Sequence, residues 1–443
     1  MAIVSRRSLQ RLIDENAKML TPEQCRKHVQ TLNSGGAPAL AAEYEVLIIN
    51  GFSRLGEVVH EPALGGPKRP DILFRPRELP DRVLVADITT VSDADARDQN
   101  PQEEFSGEFY RVLAESGLTA SGFGMEINGS LNGAPRKQKM KLSLPRKGAE
   151  LRQVVKRELR PFVESVKNDP RQSRKLVLSN YDVRVTYEPG GRYMTGHFFS
   201  FTVPYSLDNN VLMNALRTKA EQLKGTGFDG IKGILVCDGH CDSVSAIAIP
   251  RGNYSPHFQP EQIVAAFLRR WTSVSFVWML TVKEPLTADS PTSRLFHAKL
   301  FLNAKAKHAC SLELIEALSG LAAMLPSPAR SPVNALYFLN PEEPLPDSSY
   351  NSFNGGVQMT SNEIRLSSRT LVRLLAGRVS VEKFLRDNHL AGSPAAMPFF
   401  EDQLKEGRML VSARVDHVPG DDDDWVVLAF GEPDPAIAPF RSR

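Results

Sequence analysis

The chain has 443 residues, of which 42% are hydrophobic and 24% charged, and its formal net charge is +3. This balance is typical of a globular protein and excludes a disordered or collagen-like chain. No apolar run approaches the roughly 18 residues of a membrane helix, the N-terminus lacks the apolar core of a secretory signal, and four cysteines are too few for a disulfide framework, so we expect a cytoplasmic protein without a membrane contact.

The N-terminal forty residues predict two short helices. The second begins with a capping box. The side chain of Thr21 can accept a hydrogen bond from a backbone amide of the first helical turn, and the side chain of Gln24 can accept one from the backbone amide of Thr21. A longer helix is predicted over 38–55, where apolar residues recur at helical spacing, and Gly56 ends it.

Three short strands rich in β-branched residues follow over 56–90. Helices and strands then alternate to about residue 303. The elements predicted there are helices over 102–117, 149–166, 209–224 and 261–270, a hairpin near 124–131, two antiparallel strands over 175–189 and 197–206, and strands over 233–238, 274–282 and 294–303.

A helix over 312–325 leads into the Pro- and Ser-rich stretch 326–332, which predicts a linker. Beyond it we expect a small α+β domain over 333–443. It contains a predicted helical pair over 367–387 and a hairpin at the run of four aspartates, 421–424.

The most informative stretch is 69–90, where two apolar strands flank a turn. Facing residues in an antiparallel hairpin have indices with a constant sum. The midpoint between Asp71 and Asp87 in the sequence is residue 79, which lies inside the predicted turn. We therefore expect them to be cross-strand neighbours, with Cβ atoms about 5 Å apart, and Thr89 to share the face of Asp87.

Two carboxylates this close repel each other at neutral pH unless a cation or a hydrogen-bond donor lies between them. A hard ion such as Mg²⁺ is bound by one or two protein carboxylates and keeps several waters. Such an ion, or Mn²⁺, can activate a water for attack on a phosphodiester. Two solvated aspartates at the ends of an off-register hairpin remain the alternative.

These residues resemble the PD-(D/E)XK nuclease superfamily, in which a strand with Pro-Asp is followed by a neighbouring strand with an acid, one residue and Lys. Pro70 and Asp71 match the first acid, and 87–89 match the acidic tripeptide with Thr89 in place of the lysine. Pro-Asp occurs four times in the chain, but here alone an apolar strand, a turn and a second strand ending in an acid follow it.

The family's opening helix carries a glutamate, and the helix over 38–55 resembles it. Glu45 matches that acid better than Glu43, because it lies eleven residues before Gly56. The resemblance covers 41–90 and extends to later segments only through the alternation of strands and helices.

The family lysine is expected to orient or activate the attacking water, and the hydroxyl of Thr89 cannot supply its charge. Lys219 is the candidate replacement, because it interrupts the apolar stripe of the helix predicted over 209–224. A core-facing lysine is costly unless a carboxylate pairs with it, and we expect Asp87 to be that partner. Family members with a displaced lysine or a helical glutamine also draw attention to Gln222, one turn on. A lysine extending to the helix edge is the alternative.

Between residues 136 and 160 there are ten Lys or Arg and two Glu. Such a concentration of positive charge can hold the phosphate backbone of a nucleic acid. A solvated loop and helix face is the alternative. The residues predicted to contact nucleic acid are Arg136, Lys137, Lys139, Lys141, Arg146 and Lys147.

The sequence thus predicts an α/β protein in three parts. A helical segment over 1–37 precedes a restriction-endonuclease-like domain over 38–325, in which a mixed sheet is flanked by helices and a basic insertion lies near 132–160. A small α+β domain over 333–443 completes the chain.

The resemblance implies a Mg²⁺- or Mn²⁺-dependent nuclease that hydrolyses phosphodiester bonds, with DNA as its partner and the ion on Asp71 and Asp87. A role in bacterial defence or DNA processing would suit the family. A catalytically inactive nuclease-fold protein that binds nucleic acid or serves in assembly is the open alternative. The residues expected to act in catalysis are Glu45, Asp71, Asp87 and Lys219.

Overall fold

The structure is a computed structural model. It describes residues 3–98, 101–134, 137–146, 148–178, 180–198, 202–248, 257–283, 294–339, 358–359, 362–381, 384, 397–417 and 424–438. Within these ranges, no helix combines the length and the apolar character needed to cross a membrane.

The described helices, in chain order, are α1 (Arg6–Asn16), α2 (Pro22–Leu32), α3 (Gly36–Leu55), α4 (Ala94–Asp98), α5 (Pro101–Glu115), α6 (Ala149–Val154), α7 (Arg160–Asn168), α8 (Val211–Lys224), α9 (Asp242–Ser245), α10 (Pro260–Arg270), α11 (Leu312–Gly320), α12 (Pro332–Leu339), α13 (Ser368–Leu375) and α14 (Met397–Lys405). A π-helical turn, Val155–Leu159, joins α6 to α7. The capping box at Thr21 is confirmed at the start of α2.

The described strands, in chain order, are β1 (Gly56–His60), β2 (Ile72–Pro76), β3 (Leu84–Val91), β4 (Phe123–Ile127), β5 (Gly129–Asn132), β6 (Lys139–Leu142), β7 (Arg174–Val177), β8 (Val183–Tyr187), β9 (Thr195–Phe198), β10 (Ile231–Asp238), β11 (Phe276–Lys283), β12 (Leu295–Leu302), β13 (Gln358–Met359), β14 (Glu363–Ser367), β15 (Leu410–Asp416) and β16 (Trp425–Phe430).

A six-stranded mixed sheet organises the largest part of the chain, in the order β1-β2-β3-β10-β11-β12. The first three strands form an antiparallel meander. β10 runs parallel to both β3 and β11, and β12 returns antiparallel to β11. The predicted α/β class, with a mixed sheet flanked by helices, is confirmed.

Side chains of β3 alternate between the two faces of this sheet. Leu84 and Ala86 pack into a core shared with α1, α3, α11 and α12. Val85 packs into the opposite core, which is shared with α8 and α10. Asp87 has the parity of Val85, so its carboxylate lies on the α8 face.

A second sheet, in the order β7-β8-β4-β9, is formed by residues between β3 and α8. It packs on α5 and α7 around Phe123, Met125 and Ile127. The hairpin predicted near 124–131 is wrong, because β4 pairs with β8 while β5 pairs with β6. The segments 175–189 and 197–206 were expected to be antiparallel strands, but β9 pairs with β4 and runs parallel to it.

The C-terminal residues form a sheet in the order β13-β14-β16-β15. β15 and β16 confirm the hairpin expected at the aspartate run, although its tip lies outside the described residues. α13 is the first helix of the predicted pair, and most of the second lies outside them. α12 packs on α3 instead of this sheet, with Ala335 in the core of the six-stranded sheet.

Candidate active site

The candidate site starts from the pairing of β2 with β3. Ile72 faces Ala86 and Leu73 faces Val85, so the register is centred on residue 79, as predicted. Asp71 and Asp87 continue this register by one position.

The two aspartates hold each other through the backbone. The amide of Asp71 donates to Oδ1 of Asp87 over 3.1 Å, and the amide of Ile88 donates to Oδ2 of Asp71 over 2.6 Å. These bonds fix both carboxylates side by side at the end of the β2–β3 hairpin.

α8 contributes a lysine to the pair. Its apolar residues pack on the sheet, and Lys219 lies among them with 17% of its side chain exposed. Its Nζ lies 3.3 Å from Oδ2 of Asp71. The predicted contact with Asp87 is therefore wrong, because the ion pair is with Asp71, although the charge of the ammonium still acts on the nearby Asp87.

Gln222 completes the contact network. Its Oε1 accepts from Nζ of Lys219, and its Nε2 donates to Oδ1 of Asp87, both over 3.3 Å. Residues three apart share one face of a helix, so Lys219 and Gln222 contact the two carboxylates from the same side of α8.

The carboxyl of Asp87 is fully buried, and its Oδ2 makes no hydrogen bond. Burial raises the pKa of Asp87 to about 7, and the nearby charge of Asp71 contributes, while the ammonium of Lys219 opposes the shift. Burial also raises the pKa of Asp71, again against Lys219. Each shift reflects a cost of holding negative charge in this pocket, which a further cation would reduce.

The pair of aspartates fits a hard divalent cation. Mg²⁺ takes oxygen ligands and commonly uses one or two carboxylates. The unpartnered Oδ2 of Asp87 and the carboxylate of Asp71 supply such ligands, and their raised pKa values indicate a deficit of positive charge.

Glu45 does not join this network by direct contact. It lies on α3, and its Oε1 accepts from Nε2 of His60 over 2.7 Å and lies 3.3 Å from Nε2 of His28. Burial opposes its ionisation, but these histidines hold the pKa of Glu45 below its usual range. Its charge is near enough to raise the pKa of Asp71.

The choice of Glu45 over Glu43 is consistent with the placement of Glu43. The Glu43 carboxyl is buried, accepts from the amide of Val4 over 2.7 Å and has its pKa raised to about 8 by burial. It anchors the N-terminal segment and faces away from solvent.

The two histidines beside Glu45 were not predicted from the sequence. His28 lies on α2 and His60 ends β1, thirty-two residues apart in a chain whose nine histidines are scattered. Only the packing of α2 on α3 and β1 brings them together.

The basic segment is partly described. Lys139 and Lys141 project from alternate positions of β6 and are exposed, as are Lys137 and Arg146. Arg136 and Lys147 lie outside the described residues. The exposed side chains form a positive surface on the β5–β6 hairpin.

A separate pair of aspartates, Asp93 and Asp238, stabilises the turn after β10. Asp238 accepts from Thr281 over 2.6 Å and from two turn amides, and Asp93 accepts from the amide of Asp242 over 2.7 Å. These bonds hold the turn after β10, where Cys241 donates to Asp93.

Three chemical features thus converge beside β2 and β3: a carboxylate pair short of positive charge, a lysine from another element and an amide that links the two. This combination can bind a divalent cation and hold a water beside it. No protein-family model, curated protein or solved structure matches the chain.

Proposed function

We propose that this chain is a metal-dependent nuclease that hydrolyses phosphodiester bonds in DNA. The observation that carries the proposal is the convergence of Asp71, Asp87 and Lys219 from two strands and a distant helix. A lysine and two carboxylates with raised pKa values form a site suited to a divalent ion and an attacking water.

Asp71 and Asp87 would hold Mg²⁺ or Mn²⁺, which supplies charge neutralisation and an acidified water when bound. Lys219 lies beside Asp71, where its ammonium can orient that water or the scissile phosphate. Gln222 fixes the lysine and Asp87 relative to each other. Glu45 contributes negative charge at the margin of the site.

The topology supports assigning a restriction-endonuclease-like fold. A long helix, α3, precedes the meander of β1, β2 and β3, and α8 precedes a strand parallel to β3. Lys219 also approaches on the face of Asp87 and can replace the lysine missing at Thr89.

The substrate is inferred from charge. The β5–β6 hairpin exposes Lys139 and Lys141 without acidic residues in either strand. Lysines on such a hairpin can contact phosphates of either strand without reading the base sequence. The four cysteines are free, which suits the reducing cytoplasm that we propose as its location.

A catalytically inactive, DNA-binding protein of the same fold is the second candidate. Its supporting observation is that Oδ2 of Asp71 already accepts from both Ile88 and Lys219. A lysine so placed can substitute for a metal ion, as well as assist one.

A cleavage assay separates the two candidates. Labelled DNA is incubated with Mg²⁺ or Mn²⁺ and with wild type, Asp71→Asn, Lys219→Met or Lys219→Arg. We expect wild type to cleave, Asp71→Asn and Lys219→Met to lose roughly two orders of magnitude or more, and Lys219→Arg to retain part of the rate.

Matched controls remove ion pairs elsewhere. Asp229→Asn breaks a pair with Lys307, and Lys299→Met breaks a pair with Glu261. Both should cleave as wild type does. Undiminished cleavage by Asp71→Asn would reject the site, whereas DNA binding without cleavage by wild type would support the inactive candidate.

A further inference from the structure

His28, Glu45 and His60 form a second cluster of ligand-type side chains, distinct from the aspartate pair. One ligand atom from each lies within 4.8 Å of the other two. The three residues come from α2, α3 and β1, which are consecutive elements of the chain.

The Glu45 oxygen already lies close to the spacing that a metal ion imposes from each histidine nitrogen, and all three ligand atoms lie within 4.8 Å of one another. Bonds of about 2.0–2.2 Å to nitrogen and oxygen place the ligands of a tetrahedral zinc ion about 3.3 Å apart. Oε1 of Glu45 lies 3.3 Å from Nε2 of His28 and 2.7 Å from Nε2 of His60. A shift of several tenths of an ångström would open the second distance to that value.

The nitrogen of His28 is buried and lacks a hydrogen bond. Its side chain is 5% exposed, and Nε2 makes no hydrogen bond although it lies 3.3 Å from Oε1 of Glu45. A buried polar atom without a partner destabilises the fold, so a ligand that satisfies it would be favoured. Glu45 is 28% exposed and gives an approach from solvent.

The lysine next to His28 in the chain is paired with a different carboxylate. Lys27 precedes His28 on α2, but its Nζ pairs with Glu61 over 2.8 Å. Among the described residues, the charged or polar side chains in contact with the carboxylate of Glu45 are therefore the two imidazoles.

We propose that His28, Glu45 and His60 bind Zn²⁺ or a similar transition-metal ion. Two imidazoles and a carboxylate favour borderline metals such as Zn²⁺ over Mg²⁺ and Ca²⁺, which take oxygen ligands. Three protein ligands leave a fourth position for water or an anion. The ion would fasten α2 to α3 and β1.

This zinc site does not depend on the proposed nuclease function. It shares no ligand with the Asp71–Asp87 pair, although Glu45 lies close enough to influence Asp71 electrostatically. Zinc binding can therefore be measured without Mg²⁺ and without DNA, and either proposal can fail while the other stands.

The test is titration of the metal-stripped full chain with Zn²⁺ and with Co²⁺. We expect about one equivalent to bind, the midpoint of thermal unfolding to rise by several degrees, and bound Co²⁺ to show visible d–d absorption without a thiolate charge-transfer band. The last feature distinguishes His and Glu ligands from the cysteines.

Variants locate the site. His28→Gln and Glu45→Gln should each weaken Zn²⁺ binding by roughly 100-fold or more, since loss of an outer-shell partner alone costs 10–100-fold. His308→Gln, which removes an exposed histidine paired with Asp229, should bind as wild type does. Circular dichroism without metal verifies that each variant is folded.

Two results would overturn the proposal. One is the absence of stoichiometric Zn²⁺ binding by wild type, which requires no variant to fold. The other is unchanged Zn²⁺ affinity in folded His28→Gln and Glu45→Gln.

Discussion

Asp87 is the residue of the candidate site whose negative charge is most unfavourable in the folded chain. It is fully buried with one oxygen unpartnered, and its pKa is raised to about 7 from an ordinary value near 4. Between those pH values the folded chain keeps a proton that the unfolded chain releases. The free energy of unfolding therefore falls as pH rises from about 4 to about 7.

Replacement of Asp87 by Asn should remove this dependence. We expect the free energy of unfolding of wild type to fall more steeply than that of Asp87→Asn, by up to about 1.4 kcal/mol per pH unit in the middle of the window. Urea unfolding at pH 5, 6 and 7 measures the two slopes.

The other carboxyls with raised pKa values, Asp71, Asp238 and Glu43, are present in both proteins, so the difference between the two slopes reports the change at Asp87. Parallel slopes would show that Asp87 is ionised throughout the window. Asp229→Asn, at an exposed position, is the control for an unrelated change of the same type.

The sequence predicts the residues of the aspartate pair because only nearest-neighbour rules are needed. A turn centre places Asp71 opposite Asp87, and helical periodicity places Lys219 on a buried face. It does not predict which carboxylate the lysine contacts. That depends on the position of α8 over the sheet, which arises from packing across more than a hundred intervening residues.

At the scale of elements, the side chain of Gln24 links α2 to the end of β1. Oε1 of Gln24 accepts from the amide of Thr21 and closes the capping box, while Nε2 donates to the carbonyl of His60 over 3.1 Å. The same helix carries His28. Gln24 therefore sets the position of one histidine relative to the other.

We expect Gln24→Ala to lower the free energy of unfolding by about 1–2 kcal/mol, since it removes a cap and a bond to a buried carbonyl. It should also weaken Zn²⁺ binding, which Gln10→Ala on the exposed face of α1 should not do. Chemical denaturation and Zn²⁺ titration measure the two effects. Equal behaviour of the two variants would mean that Gln24 does not align α2.

The β5–β6 hairpin is the element proposed to hold DNA. We expect the double variant Lys139→Ala, Lys141→Ala to bind DNA more weakly and to lower the slope of log affinity against log salt by about 2, because each lysine neutralises one phosphate. Fluorescence anisotropy over a series of salt concentrations measures this slope.

The matched control changes Lys305 and Lys307 to Ala, which removes the same charge beyond β12. It should leave the slope unchanged. An equal reduction in both double variants would indicate a general effect of net charge and not a contact at the hairpin.

The pairing of the short strands was harder to predict from the sequence than the presence of the strands. β4 and β5 are separated by one residue and look like a hairpin in sequence, yet they enter different sheets. Alternating apolar residues in β4 face a core that includes helices forty residues later. A pattern within eight residues cannot predict a packing partner that lies so far along the chain. The pairing of β2 with β3 could be predicted because a short turn joins these strands.

At the scale of the whole molecule, the six-stranded sheet is covered on both faces by helices from distant parts of the chain. α12 follows the predicted linker but packs on α3, with Ala335 fully buried and Leu336 beside the same core. The six-stranded sheet therefore draws on residues beyond 332 for its packing.

We expect a chain ending at residue 325 to be less stable than one ending at residue 339 by about 2–4 kcal/mol, since it loses these apolar contacts and exposes the surface of α3. Urea denaturation of both truncated chains measures the difference. Equal stability would place α12 outside the folding unit of the six-stranded sheet.

The proposed nuclease activity depends most on a divalent ion that acts at the aspartate pair on a DNA substrate. The most direct measurement is the rate of DNA cleavage under single-turnover conditions, titrated with Mg²⁺, for wild type and Asp87→Asn. We expect Mg²⁺-dependent cleavage by wild type and its loss in a folded Asp87→Asn that still binds DNA. Equal cleavage by both proteins, or DNA bound but uncut by wild type at every Mg²⁺ concentration, would contradict the proposal.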